Sequence, residues 1–262
     1  MTLVDTHTHI YDSDFAGRML LVSTFLGQKN PLYDGDKDGV EQVLVIAKQH
    51  NNTYAIVGIY PEFAHNLDID RAINSLRDII QSNRKKAKAV GEIGLDYHCK
   101  PAEAAINAQH KLFRAQLKLA DELNLPVSLH IRDTCNHDDT DAFSDAFKIL
   151  AEFPKTRGVC HSFTGNRKSL DKALKLGFYI SVNGIYTFNK DAELQATLDS
   201  IPLNRLLLET DAPFLTPAPN RAKSNKSSFL PDLAEFVAKS RKITLAEVAI
   251  ATTQNAEKLF AI

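Results

Sequence analysis

The sequence predicts an α/β protein folded as a (β/α)8 TIM barrel, with a shortened or missing first helix and extra helices after the eighth strand. Three observations carry this. Eight short apolar runs recur along the chain, amphipathic segments separate most of them, and several runs end in a side chain that binds metal. Buried parallel strands have both faces covered, so they read as almost unbroken apolar stretches. Eight such strands alternating with helices over about 250 residues is the arithmetic of a barrel. A doubly wound open sheet uses the same alternation, and strand count alone leaves it open.

The expected strands cover residues 3–6, 19–23, 54–59, 89–93, 127–131, 158–161, 178–182 and 206–209. Only residues 10–18 are left to connect the first two, too few for a full crossover helix. Helical patterns cover 37–50, 68–82, a long segment opened by Pro101, 139–153, 166–176, 190–200, 231–240 and 245–260. In the second of these, Ile69, Ala72, Ile73, Leu76 and Ile79 recur at the spacing of one buried helical stripe. Pro101 suits a first helical turn, where a missing N–H costs nothing, and Phe113, Leu117, Ala120 and Leu123 mark the stripe that follows. Gly177 stands just past the 166–176 segment, where a left-handed cap is wanted.

The chain has 262 residues, 44% of them hydrophobic, which is enough to bury a sizeable core. No linker or repeat divides it, so one barrel domain over residues 1–262 is expected. The 31 basic and 32 acidic residues leave a net charge of -1, which excludes a protein that captures nucleic acid over its whole surface. Three cysteines, Cys99, Cys135 and Cys160, are too few for a disulfide framework and point to a reducing compartment. Residues 1–10 lack the basic and apolar regions of a signal peptide. The longest apolar stretch, 19–26, is interrupted by Ser23 and Thr24 and falls short of the ~20 residues that span a bilayer. A cytoplasmic protein with no membrane partner is expected, a monomer or weak oligomer.

His7 and His9 stand two apart at the end of the first run, and on a strand such residues share a face. Glu92 ends the fourth run, His130 the fifth and His161 the sixth, and Asp211 follows the eighth. In a barrel all these ends meet at the C-terminal face, where active sites sit. Four histidines and two carboxylates, with no cysteine required, suit zinc, manganese, iron or magnesium. Six ligands exceed the need of one cation, so two divalent ions (Mg²⁺, Mn²⁺ or Zn²⁺) with Glu92 as the bridge are expected. Glu209 has the parity of Asp211 and reads as a buried partner that orients a histidine.

These words resemble the TatD family of metal-dependent deoxyribonucleases, within the wider amidohydrolase-like barrels. The resemblance rests on Val-Asp-Thr-His-Thr-His at 4–9, Gly-Glu-Ile-Gly-Leu-Asp-Tyr at 91–97 and Leu-Pro-Val-Ser-Leu-His-Ile-Arg-Asp at 125–133. His-Ser-Phe-Thr-Gly at 161–165, Glu-Thr-Asp-Ala-Pro-Phe-Leu at 209–215 and Asn-Ala-Glu-Lys-Leu-Phe at 255–260 complete it. It implies a divalent-metal-dependent hydrolase that cleaves phosphodiester bonds by a metal-activated water, as a 3′-5′ exonuclease on single-stranded DNA. It implies that His7, His9 and Asp211 hold one metal, that His130 and His161 hold the other, and that Glu92 is shared. Asp211 and Glu92 become the catalytic pair, with Asp211 as the base.

The chain also departs from the family. Where the family reads Gly-x-His-Pro-His after the third strand, this sequence has Tyr60 and Glu62 in place of both histidines, with His65 as a possible substitute. The metal site therefore reads as intact and the substrate site as altered. That keeps an alternative open: amide or ester hydrolysis on the same barrel, including the ester of an aminoacyl-tRNA. Arg132, Arg167, Lys168, Arg221, Lys223 and Lys226 all follow strand ends and form a candidate basic rim; with His65, Arg132, Arg221 and Lys223 are the expected substrate contacts. Tyr97, Phe163, Tyr186 and Phe214 sit near strand ends; packing in the core or on the barrel cap is the expected role of each, and stacking on a base the alternative.

Overall fold

Eight parallel strands pair in chain order, β1 to β8, and curl into a nearly closed barrel. They are β1 (Val4–Thr8), β2 (Arg18–Ser23), β3 (Thr53–Val57), β4 (Ala87–Asp96), β5 (Val127–Arg132), β6 (Gly158–Cys160), β7 (Tyr179–Val182) and β8 (Leu206–Leu208). The computed structural model describes residues 2–23, 39–98, 101–133 and 141–262. Cys99 and Cys135, and the ends of the expected segments that began at 37 and 139, lie outside the described residues. The seam between β8 and β1 is bridged at its upper end, where Asp211 N–H donates to His7 C=O at 2.9 Å and His9 N–H to Ala212 C=O at 2.8 Å.

Helices cover the outside: α1 (Gly39–Gln49), α2 (Ile69–Ser82), α3 (Glu103–Leu123), α4 (Ala142–Leu150), α5 (Arg167–Lys175), α6 (Ile185–Phe188), α7 (Ala192–Ser200), α8 (Leu230–Arg241) and α9 (Leu245–Phe260). No helix connects β1 to β2, as the short connection requires. Local chemistry sets the ends. Asp68, Asp141, Asn166 and Asp191 cap α2, α4, α5 and α7 by accepting from backbone N–H groups of the first turn, which have no partner inside the helix. Thr244 and Glu247 form a reciprocal capping box on α9. Pro101 precedes α3 rather than opening it, because Ala102 is still extended and serves as the cap. The short 3₁₀ helix Pro61–Asn66 and α6 were not apparent in the sequence; both are too brief to show a helical period.

Alternation along each strand sorts the core into two shells. Met19, Leu21, Ala55, Val57, Leu129, Cys160, Ile180, Leu206 and Leu208 face the helices. Val4, Leu20, Val22, Ile56, Ala89, Val159, Tyr179 and Leu207 form a second cluster inside the barrel, joined there by Ala256, Leu259 and Phe260 of α9. The lower barrel is thus a dry floor. One level up the inward residues turn polar: Thr6 meets Ser181 at 3.3 Å and donates to Leu208 C=O at 3.0 Å, and Ser128 lies 3.4 Å from His7 Nδ1. Above these sit the candidate ligands.

Candidate metal centre

Two register irregularities aim the ligands. Along β4 and β5, Gly91 pairs Ser128 and Ile93 pairs Leu129, so Glu92 is one extra residue without an opposite number. Along β1 and β2, three steps from Asp5 to Thr8 match two from Met19 to Leu21, and His7 lies within that shift. Such bulges re-aim a side chain that strict alternation would send elsewhere. Gly94, with φ of 143°, lies so close to His130 that a Cβ would meet its carbonyl oxygen at 2.0 Å. Only glycine lets β4 pass β5 closely enough to carry Glu92 to the axis.

The structure brings His7, His9 and Asp211 into one potential ligand group and His7, Glu92 and His161 into another. His7 and His161 stack with ring centroids 3.7 Å apart. His7 Nε2 lies 3.6 Å from Glu92 Oε2 and 3.8 Å from Asp211 Oδ1, and His9 Nε2 lies 3.4 Å from the same Asp211 oxygen. His161 Nε2 is 2.9 Å from Glu92 Oε1. His130 stands outside both groups, yet its Nδ1 is 2.6 Å from Glu92 Oε1, so it approaches the shared carboxylate from the other side.

The donor set fits divalent cations on an observation of its own. His7 is fully buried and its Nε2 has no hydrogen-bond partner, although it points between two carboxylates. Such an orphan atom is costly unless something else binds it. Burial, reinforced by His161, lowers the pKa of His7 and favours the neutral ring that a ligand must be. Burial opposes charge on His161, but Glu209 and Glu92 beside it raise its pKa well above the ordinary value. Glu92 moves the opposite way: burial is outweighed by His161 and His130, and its carboxyl falls well below the usual range. The raised pKa values of His9, His130 and His161 favour protons that balance the carboxylates; a divalent ion would balance them equally, so its binding would displace protons.

Outer partners brace His161 and His130. Glu209 Oε1 accepts from Ser162 N–H at 2.6 Å and lies 3.2 Å from His161 Nδ1. Asp96 and Tyr60 do the same for His130: Asp96 Oδ2 lies 2.9 Å from His130 Nε2 and accepts the Tyr60 hydroxyl at 2.6 Å, and Tyr60 Oη is 3.0 Å from His130 Nε2. Burial opposes the charge on Asp96, but the His130 and Tyr60 hydrogen bonds prevail and hold its pKa at about 2. Asp5 braces the end of β8 by accepting from Thr210 N–H at 2.9 Å, Thr210 Oγ1 at 2.6 Å and Ser227 Oγ at 2.6 Å. Its burial outweighs those donors and lifts its pKa to about 7. Sequence reasoning missed Asp96 and Asp5 as site residues. The signal for Asp96 was its place four residues after Glu92, which the bulge turns into the same neighbourhood.

A cavity of about 570 Å³ opens over this floor, lined by Tyr60, Glu62, Phe63, Arg132, Thr164 and Phe214 among others. Arg132 lines it; His65, Arg221 and Lys223 do not. His65 is exposed and lies 2.9 Å from Glu62 C=O through its Nδ1. Arg221 donates to Thr216 C=O at 3.0 Å and lies 3.7 Å from the Phe188 ring centre, and Lys223 donates to Asn220 Oδ1 at 3.1 Å. Arg167 and Lys226 are paired with Asp171 and Asp14.

The model of the TatD-related DNase family matches residues 4–261. The chain belongs to that family. Among curated relatives, the uncharacterized metal-dependent hydrolase YabD of Bacillus subtilis is 34% identical over 99% of both chains. Among solved structures, the TatD homologue YjjV of Escherichia coli superposes with a TM-score of 0.83 at 24% identity, covering 99% of this chain and 98% of that one. A phosphotriesterase homology protein of Escherichia coli, solved with phosphate in its active site, superposes at 0.62 and 17% identity over 99% of this chain and 98% of its own. TatD membership and the donor cluster agree on a metal-dependent hydrolase. No described helix of this TatD chain is long and apolar enough to cross a membrane.

Proposed function

We propose that the chain is a deoxyribonuclease that hydrolyses phosphodiester bonds from the 3′ end of single-stranded DNA. The observation that carries this reading is the convergence of His7, His9, Glu92, His130, His161 and Asp211 beneath a cavity whose lining includes Arg132. Two divalent cations bound by these residues, Glu92 shared, would polarise the phosphoryl oxygen and acidify the attacking water. The chain's own part is positional. Arg132, on the cavity wall, is the side chain placed to take a phosphate oxygen. Asp211 is held anionic: burial opposes this, but the hydrogen bond from His9 and the charges of His161 and His7 keep its pKa low. Its carboxylate takes up the proton of the attacking water. Asp211 reaches this position on a left-handed backbone, φ 57°, which a residue other than glycine adopts only where its surroundings impose it.

Glu62 on the cavity wall favours a second reading, cleavage of an ester or amide whose acyl part carries an amine. One experiment separates the two. Single-stranded oligonucleotides labelled at the 3′ or the 5′ end are incubated with Mg²⁺, Mn²⁺ or Zn²⁺, with ester substrates in parallel and His130→Ala as control. The expected result is stepwise shortening from the 3′ end that needs metal and is lost in His130→Ala. Ester turnover without shortening, by protein shown to contain metal, transfers the assignment to the second reading.

A further inference from the structure

Of the four aromatics near strand ends, Tyr97, Phe163 and Tyr186 are each 1% exposed and belong to the core. Phe214 is 53% exposed, the one aromatic among the exposed large apolar side chains of the described residues, and it lines the cavity. Its backbone is tied on both sides: its N–H donates to Asp211 C=O at 2.9 Å, and its C=O accepts from Asn225 Nδ2 at 2.6 Å. Asn225 is itself buried and also donates to Thr210 C=O at 2.8 Å, which anchors the loop to the end of β8. The ring stands 6.1 Å from that of His9, so a group lying on it is beside the metal centre. An apolar ring kept in water on a pinned loop, at the edge of a polar centre, is built to be covered by a ligand.

We infer that Phe214 is a stacking platform for the base of the nucleotide whose phosphate is engaged at the centre, an inference that rests on the nuclease reading. Base stacking suits a single flat face and is tolerant of sequence, because every base has a π-face. The walls agree: Phe63, Ile131, Ile185 and Leu215 are apolar, and, apart from the histidines of the metal centre, Arg132 is the one basic side chain among the described lining residues. That composition accommodates one base and one phosphate; it does not follow the backbone of a longer strand.

The chain has no tryptophan, so Phe214→Trp places the sole indole of the protein at the platform. With the metal-loaded protein, 2′-deoxyadenosine 5′-monophosphate should quench its emission to saturation, while 2-deoxyribose 5-phosphate should not. By calorimetry the nucleotide should bind the unaltered protein more tightly than the sugar phosphate. Phe214→Ala should weaken nucleotide binding about 5- to 150-fold, the usual loss for one stacked base, and leave the sugar phosphate unchanged. Equal binding of the two compounds, or an unchanged nucleotide affinity in Phe214→Ala, overturns the platform whatever the oligonucleotide assay gives. Base-dependent binding without any oligonucleotide shortening sustains the platform and removes the nuclease.

Discussion

The two ends of the barrel interior are made from the same strands and obey different rules. At the floor, Val4, Leu20, Ile56, Ala89, Val159, Leu207 and the ring of Tyr179 pack with Phe260 in one apolar cluster. A few residues further along, β1 and β4 carry His7 and Glu92 and β6 leads into His161, with a buried nitrogen lacking a partner and a register break beside each of His7 and Glu92; the floor has a break of its own between Ala55 and Ile56. Backbone conformations divide in the same way. Among the described residues, six other than glycine have positive φ; Asn124, Lys242 and Ala261 cap helix ends, where that conformation is ordinary, while Ser162, Asp211 and Leu215 line the mouth. The contrast teaches that apolar packing is concentrated below and chemistry above, and that among the described residues left-handed backbone away from helix ends is confined to the mouth.

The largest expected effect tests the floor. Phe260→Ala removes a ring 2% exposed from the inner cluster and should lower unfolding free energy by about 3–5 kcal/mol, read by denaturant titration. Its affinity for divalent metal, measured on the folded protein, should not change; a parallel loss of affinity would erase the division between floor and mouth. The converse test is Asp96→Asn, which leaves the floor alone and weakens the hold on His130. Divalent affinity by calorimetry should fall about 10- to 100-fold, with a smaller shift in unfolding midpoint than Phe260→Ala produces. The smallest effect concerns the outer shell. Burial pushes the Cys160 thiol up to about 12, so at pH 8 it is protonated and out of reach. Peptide mass spectrometry should find Cys160 unmodified by iodoacetamide in native protein and modified in urea.

The strand pattern was legible because both faces of a barrel strand are buried, and an apolar run needs no partner to be recognised. The histidine spacing of His7 and His9 was legible for the same reason. Bulges were not, because a register shift is a relation between two strands: nothing in Gly-Glu-Ile-Gly says that Glu92 is the unpaired residue. Glu92 was taken as the end of its strand, yet β4 runs on to Asp96, which carries the partner of His130. The substrate side was the least legible. Basic residues after strands look alike in sequence, and only the fold distinguishes Arg132, on the cavity, from Arg221, folded onto Phe188.

Phe260 shares its cluster with Val4, so the inside of the barrel is completed by residues from opposite ends of the described chain. During synthesis every strand from Val4 to Leu208 leaves the ribosome before Ala256, Leu259 and Phe260 exist. Without α9 the lower rim would leave Leu20, Ile56 and Leu207 without the cover that Ala256, Leu259 and Phe260 give them. All six candidate ligands lie at or before Asp211, so the mouth is complete in sequence before the residues that seal the base.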